Sequence, residues 1–159
     1  MRVLESFFNN TYDPEYSRLR NKAKDILAQQ DSLSEIVQLV GKESLSEDQK
    51  IVMDIAEIII DDFLYQNAFT DYDLTCPVAK SIGMLKCIIT LYDNSQRALT
   101  SSSGDKKISW AYIKTTLAEP LQKVIDGKFL PPTTSLQEIK EHYDATCKDV
   151  IDAFAALDV

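Results

Sequence analysis

Acids in close pairs, thiols and one imidazole are the groups in this chain that could do chemistry. The densest carboxylates are Asp61-Asp62 and Asp71-Tyr72-Asp73. Two acids spaced D-x-D can hold a divalent cation through hard oxygen ligands. No phosphate-binding loop lies beside them, so they read as helix-end and turn residues, and no metal site is predicted. The single histidine, His142, lies in Lys140-Glu141-His142-Tyr143. One imidazole cannot build a multi-histidine metal site, and no serine or cysteine stands at a partner's spacing. His142 is predicted to be an exposed helix residue. Cys76, Cys87 and Cys147 show no C-x-x-C spacing and are odd in number, which predicts reduced, buried and inert thiols. The glycines, at positions 41, 83, 104 and 127, complete neither G-x-x-x-x-G-K-[ST] nor G-x-G-x-x-G. No catalytic residue is assigned in this chain.

Two other segments carry chemistry of contact. Tyr65, Phe69 and Tyr72 cluster just past an apolar helix. By composition they read as core closing over that helix end, with base stacking as the alternative, because an aromatic face accepts a planar ring. The segment Gly41-Lys42-Glu43-Ser44-Leu45-Ser46-Glu47-Asp48 joins two helical patterns. It is charged, and its one leucine, Leu45, reads as exposed. It is either a solvated hairpin turn or a protruding tip that touches a partner.

The elements that must position these groups are helical. Asp13-Pro14-Glu15 opens one helix, with Asp as cap and Pro at the first helical position. Leu19, Ala23, Ile26 and Leu27 follow at helical spacing. Asp31-Ser32 is predicted to restart a short helix that stops at Gly41, a left-handed position. Ser46 to Gln49 reads as a capping box ahead of Ile51, Ile55, Ile58, Ile59 and Phe63, a helix predicted to end near Gln66-Asn67. Pro77 starts the next helix, which carries Val78, Ile82, Leu85, Ile89 and Tyr92. The stretch 100–105 reads as flexible. Pro120 predicts a break near Ala118-Glu119 in the following helical stretch. A second capping box, Ser135 to Glu138, opens the last helix, whose stripe runs from Leu136 to Leu157. No segment alternates with period two. The predicted fold is all-α, a compact bundle of about five to seven helices forming a single domain over residues 1–159.

Composition agrees. The chain has 159 residues, 45% of them apolar, with only 4 Gly and 5 Pro, too few for a hairpin-rich β fold. It carries 17 basic and 25 acidic residues, net −8. Phosphate backbones and anionic lipid would repel that charge, so neither nucleic-acid binding nor peripheral membrane adsorption is expected, and no apolar run is long enough for direct membrane insertion. The N-terminus lacks a secretory signal pattern and Ile58-Ile59-Ile60 is far too short to span a bilayer. A soluble, cytosol-facing chain is predicted.

Taken together, several blocks resemble the C-terminal helical domain of the catalytic A subunit of vacuolar-type (V/A-type) rotary ATPases. They are Leu19-Arg20 with Lys22-Ala23-Lys24, the run from Asp31 to Gly41, Asp62-Phe63-Leu64, and Gln66-Asn67-Ala68-Phe69-Thr70. Tyr72-Asp73, Cys76-Pro77, Gly83-Met84-Leu85, Tyr92-Asp93, Lys107-Ile108-Ser109-Trp110 and Lys128-Phe129 extend them. The segment around Ala79 departs from the family's aromatic-rich pattern, and from Pro131 onward the similarity is generic. The family's phosphate-binding loop, catalytic glutamate and magnesium ligands belong to a nucleotide-binding domain that these residues do not contain. The resemblance therefore implies that ATP and Mg are held by the full-length catalytic polypeptide and none by this domain alone, which should not hydrolyse ATP.

The resemblance implies two roles. Gly41, Lys42, Glu43, Ser44 and Leu45 would face the central rotor shaft. Gln66, Ala68 and Phe69 would approach the adenine, with Phe69 as the ring contact. The implied partners are the motor's B subunits and its central-shaft subunits, in a hetero-oligomeric ring of a proton-translocating motor. The implied location is the cytosolic face of an endomembrane or vacuole in a eukaryote, or of the plasma membrane in a prokaryote; residues 106–110 lean towards the eukaryotic type. A free-standing helical adaptor or regulator descended from this domain is the alternative.

Overall fold

The computed structural model describes residues 2–101 and 108–157, and every regular element among them is helical. Eight α-helices are present: α1 (Arg2–Thr11), α2 (Tyr16–Val40), α3 (Glu47–Ile58), α4 (Asp71–Leu74), α5 (Val78–Ser101), α6 (Trp110–Thr116), α7 (Ala118–Asp126) and α8 (Leu136–Ala155). Single 3₁₀ turns lie at Lys42–Ser44 and Gly127–Phe129. The surplus over the expected count comes from α1 and the one-turn α4, neither of which the apolar periodicity marks. The predicted flexible stretch runs into residues 102–107, outside the described residues.

α5 and α8 make the most extensive helix pair. Cys87, Ile88, Ile89 and Leu91 of α5 and Ile139, Tyr143, Cys147 and Val150 of α8 are all buried in one apolar cluster. Gly83 permits their close approach: a β-carbon there would stand 2.3 Å from Tyr143 Cδ2. The Tyr143 hydroxyl donates to the Gly127 carbonyl at 2.8 Å, which settles a polar group that burial would otherwise strand. α2 and α3 fold back as a hairpin and pack on each other and on α5 through Leu19, Ile26, Ile51 and Ile55.

Several predicted boundaries hold. Both capping boxes are formed: the Ser46 N–H donates to Gln49 Oε1 at 3.1 Å and the Ser135 N–H to Glu138 Oε2 at 3.0 Å. Gly41 takes φ +84° and ends α2. The break near Pro120 falls at Leu117, leaving Pro120 in the first turn of α7, where an amide has no helical acceptor anyway.

Two boundaries differ. α2 runs unbroken through Asp31 and Ser32. The Ser32 hydroxyl donates back to the Ala28 carbonyl at 3.3 Å rather than capping a new turn, and buried Leu33 continues the face of Leu19 and Ile26. Asp13 does not cap α2 as expected. Its Oδ1 accepts the Glu15 N–H at 2.7 Å within a turn, and the helix opens at Tyr16. Phe8, packed 4.9 Å from the Tyr16 ring, ties α1 to that start.

Candidate functional site

The loop 65–70 begins where α3 changes pitch. Residues Ile59–Leu64 form a π-helix, and the Tyr65 N–H closes it onto the Ile60 carbonyl at 2.8 Å. Lys128 then crosses to this end. Its ammonium donates to the carbonyls of Asp61 (3.0 Å) and Tyr65 (3.2 Å), groups that a helix C-terminus leaves without an internal donor. Inside the loop the Asn67 N–H donates to Asp73 Oδ2 at 2.9 Å, and Asn67 Oδ1 accepts the Phe69 N–H at 3.0 Å. The Thr70 hydroxyl donates to the Asn67 carbonyl at 2.9 Å. Beneath, the buried Lys80 ammonium donates to the carbonyls of Tyr72 (2.9 Å) and Leu130 (3.0 Å). Burial holds the Lys80 pKa below the ordinary lysine range. Burial also pushes Asp62 upward, with Lys128 opposing and Asp61 adding to the shift.

On this braced loop Phe69 is 98% exposed. Gln66 and Ala68 are exposed beside it. The prediction that Tyr65, Phe69 and Tyr72 form core is therefore corrected. Tyr65 is 69% exposed, and only Tyr72 is part-buried, edge-on to Phe129 at 5.1 Å. The physical reason is that Asp73 and Lys128 satisfy the loop's backbone without needing its aromatic rings as cover. Aromatic clustering marked the place in the sequence. Asp73 is marked there as a turn carboxylate, whereas the bracing roles of Lys80 and Lys128 carry no local signal, because Lys80 reaches Leu130 and Lys128 reaches Asp61 and Tyr65 across long gaps in the chain.

The second predicted segment is the turn of the α2–α3 hairpin. Gly41, Lys42, Glu43 and Ser44 are exposed, and the Ser44 hydroxyl donates to the Gly41 carbonyl at 2.7 Å. Leu45, expected to be exposed, is buried at 4%: it turns inward at the start of α3 and joins the core. The apolar surface at this tip instead comes from α2, where Ile36, Leu39 and Val40 are 43%, 84% and 63% exposed. The sequence holds the signal: Leu33, Ile36, Val37, Leu39 and Val40 cover too wide an arc for one buried face. Asp54 anchors the turn. Its Oδ1 accepts from Lys42 Nζ at 2.8 Å, and its Oδ2 accepts from Lys114 Nζ at 2.7 Å and Trp110 Nε1 at 2.8 Å. Burial would raise the Asp54 pKa, but the hydrogen bonds from Lys114, Lys42 and Trp110 outweigh it and leave the carboxyl below its ordinary range.

Twelve residues of α3 and six of its π-helical extension separate the tip from the Phe69 loop. At about 1.5 Å per residue, the two lie on the order of 27 Å apart along one continuous helix.

The remaining candidates also find places. Asp71 opens α4, and Asp73 is spent on the loop backbone. His142, predicted exposed, is part-buried, with Nε2 enclosed and without a hydrogen-bond partner. It lies edge-on to Tyr143 at 5.1 Å, next to the buried stripe rather than opposite it. Cys87 and Cys147 are buried as predicted, while Cys76 is only part-buried. No described helix is long and apolar enough to cross a membrane.

Over residues 5–108, which include both loops, the chain matches the family described as the C-terminal domain of V and A type ATP synthase. It is 43% identical over 154 residues to the catalytic A subunit of a V-type proton ATPase from Dictyostelium discoideum, covering 97% of this chain and 25% of that protein. It is 43% identical over 157 residues to its counterpart from Trypanosoma congolense, covering 99% of this chain and 26% of that protein. Against the counterpart from Manduca sexta the identity is 41% over 160 residues, with the same coverage of 99% and 26%. The chain thus spans about a quarter of the length of the curated relatives it matches. With the match extending over more than half of an all-helical chain, this protein belongs to the C-terminal domain family of V- and A-type ATP synthases.

Proposed function

We propose that this chain acts as the C-terminal domain of the catalytic A subunit of a V-type proton ATPase, linking the nucleotide site to the rotor. ATP and Mg would be bound and ATP hydrolysed in the nucleotide-binding part of the full-length polypeptide, and this domain alone would bind neither. The motor's B subunits and its central-shaft subunits would be its neighbours in a hetero-oligomeric ring. That ring would sit on the cytosolic face of an endomembrane or vacuole in a eukaryotic source, or of the plasma membrane in a prokaryotic one.

One observation carries the reading. Phe69 is 98% exposed on a loop whose backbone is tied down by Asp73, Asn67 and Lys128. An exposed aromatic ring of this kind has no stabilising role within the domain, and the bracing removes the loop entropy that a ligand would otherwise have to overcome. Phe69 would stack on the adenine, with Gln66 and Ala68 beside it. α3 and its π-helical extension would act as a stiff arm from this loop to the tip formed by Gly41, Lys42, Glu43 and Ser44. Leu45 would support the tip from inside, and Leu39 and Val40 would supply its apolar contact with the shaft.

The test is nucleotide binding by the full-length catalytic polypeptide carrying Phe69→Ala. Stacking is worth about 1–3 kcal/mol per base, so the dissociation constant for ATP should rise roughly 5- to 150-fold. An unchanged constant would remove Phe69 from the nucleotide site. For the tip, Leu39→Asp with Val40→Asp should lower ATP-driven proton uptake in assembled complexes while leaving ATP affinity unchanged. Unimpaired pumping would overturn that assignment, and a stable 159-residue protein that never assembles with other subunits would favour the adaptor reading.

A further inference from the structure

The α5–α8 interface contains a pair of groups with no part in either loop. Cys87 on α5 and Cys147 on α8 are 0% and 6% exposed, and their sulfurs face each other at 2.8 Å. The Cys87 thiol also donates to the Tyr143 carbonyl at 3.3 Å. The sequence separation of 60 positions hides this pairing; only the packing of the two helices creates it. We propose that Cys87 and Cys147 are a redox modification site, closing under peroxide to an intramolecular disulfide that staples α5 to α8.

The geometry needs little motion. The sulfurs lie within about 0.8 Å of bonding distance. Both are carried on helices packed in one core, so their separation is set by the fold rather than by chance collision. The two thiols also differ in character. The contact with Cys87 is the main effect that lowers the Cys147 pKa, with Thr90 and then Lys86 adding to it against burial; to serve a Cys147 thiolate, the one Cys87 hydrogen must turn from the Tyr143 carbonyl to the facing sulfur. That same contact and burial raise the Cys87 pKa. Cys147, 6% exposed against 0% for Cys87, is the member that peroxide reaches first and is therefore the attacking group.

The chemistry balances as follows. Cys147 loses its proton, and its sulfur attacks one oxygen of hydrogen peroxide. The O–O bond breaks and the leaving hydroxide takes up the proton as water, leaving a sulfenic acid on Cys147. The Cys87 sulfur then attacks that sulfur and the S–S bond forms. The S–O bond breaks, and hydroxide leaves with the Cys87 proton as a second water. Two thiols and one peroxide thus become one disulfide and two waters.

The experiment treats the native protein with graded hydrogen peroxide and alkylates free thiols in denaturant. It then maps peptides by mass spectrometry without reduction. The expected result is a peptide pair joining Cys87 to Cys147, lighter than its two components by two hydrogens and separated by dithiothreitol. Tm should rise with oxidation by several degrees, with an upper bound on the order of 10 °C, and fall back on reduction. Repeating the mapping with Cys76→Ser removes competing pairings. The proposal is overturned if Cys147 proceeds to sulfinic acid while Cys87 remains alkylatable. It is equally overturned if both remain alkylatable after Cys76 is oxidised. Cys87→Ser should abolish the linked peptide; should that variant not fold, the mapping of the unmodified protein alone decides.

Discussion

Asp54→Ala tests how the hairpin tip is fixed. Asp54 has a side chain only 15% exposed and accepts from three donors. Its lysine partners, Lys42 and Lys114, keep 51% and 44% of their side-chain surface. Ion pairs that exposed contribute about 0–1 kcal/mol each. Trp110 differs: it is 2% exposed, so its indole N–H would lose its carboxylate acceptor inside the core, at about 1.5–3 kcal/mol. Asp54→Ala should therefore destabilise the chain by about 2–4 kcal/mol, lowering Tm by roughly 5–15 °C. Asp54→Asn retains an acceptor oxygen for the indole and forfeits only the charge, so it should cost about half as much. Urea unfolding at pH 7 measures both. Equal losses for Asn and Ala, or a loss below about 1 kcal/mol for Ala, would refute the dominance of the Trp110 bond. The pH dependence follows from the lowered Asp54 pKa. In acid the unfolded chain takes up this proton before the folded one does. The stabilisation is thus complete above the unfolded value near 4 and is lost as pH falls through the lower folded value. The gap between the native chain and Asp54→Asn should be constant above about pH 5 and shrink below about pH 4.

Further predictions concern the frame and the loops. Gly83→Ala should destabilise the chain although helix propensity favours Ala by up to about 1 kcal/mol. The new β-carbon would stand 2.3 Å from buried Tyr143, and overpacking costs about 1–3 kcal/mol; a rise in Tm would contradict the packing. Gly41→Ala meets open space, but φ +84° with ψ 159° is a backbone state that side chains disfavour. Unfolding by urea should show a loss of about 1–3 kcal/mol. Ser135→Ala breaks the cap of α8 and should lower stability by about 0.5–2 kcal/mol in the same assay. Phe69→Ala should leave Tm within about 1–2 °C of the parent, because the ring touches so little. A large drop would assign the ring to the fold instead of to a ligand.

Helix type, the main caps and much of the core were legible from local chemistry. Ser46 to Gln49, Ser135 to Glu138, Pro77 and Gly41 act within one turn of chain, so their spacing specifies their structure. Leu19, Ile26, Ile55 and Tyr143 recur at helical period and are buried for that reason. The positions of the two loops were likewise readable, from turn residues and clustered aromatics. Which side chains point outward was not. Leu45 and Leu39 are the same residue type six positions apart, yet one is 4% and the other 84% exposed. Periodicity identifies apolar residues but not the direction from which a neighbouring helix arrives. The bracing of Phe69 by Asp73 and Lys128, the Asp54 hub and the facing of Cys87 and Cys147 all join residues from different elements. Such contacts arise only when α3 packs against α6, α4 and the turn Gly127–Phe129 close on the end of α3, and α5 packs on α8, because they depend on helix rotation and approach rather than on spacing along the chain.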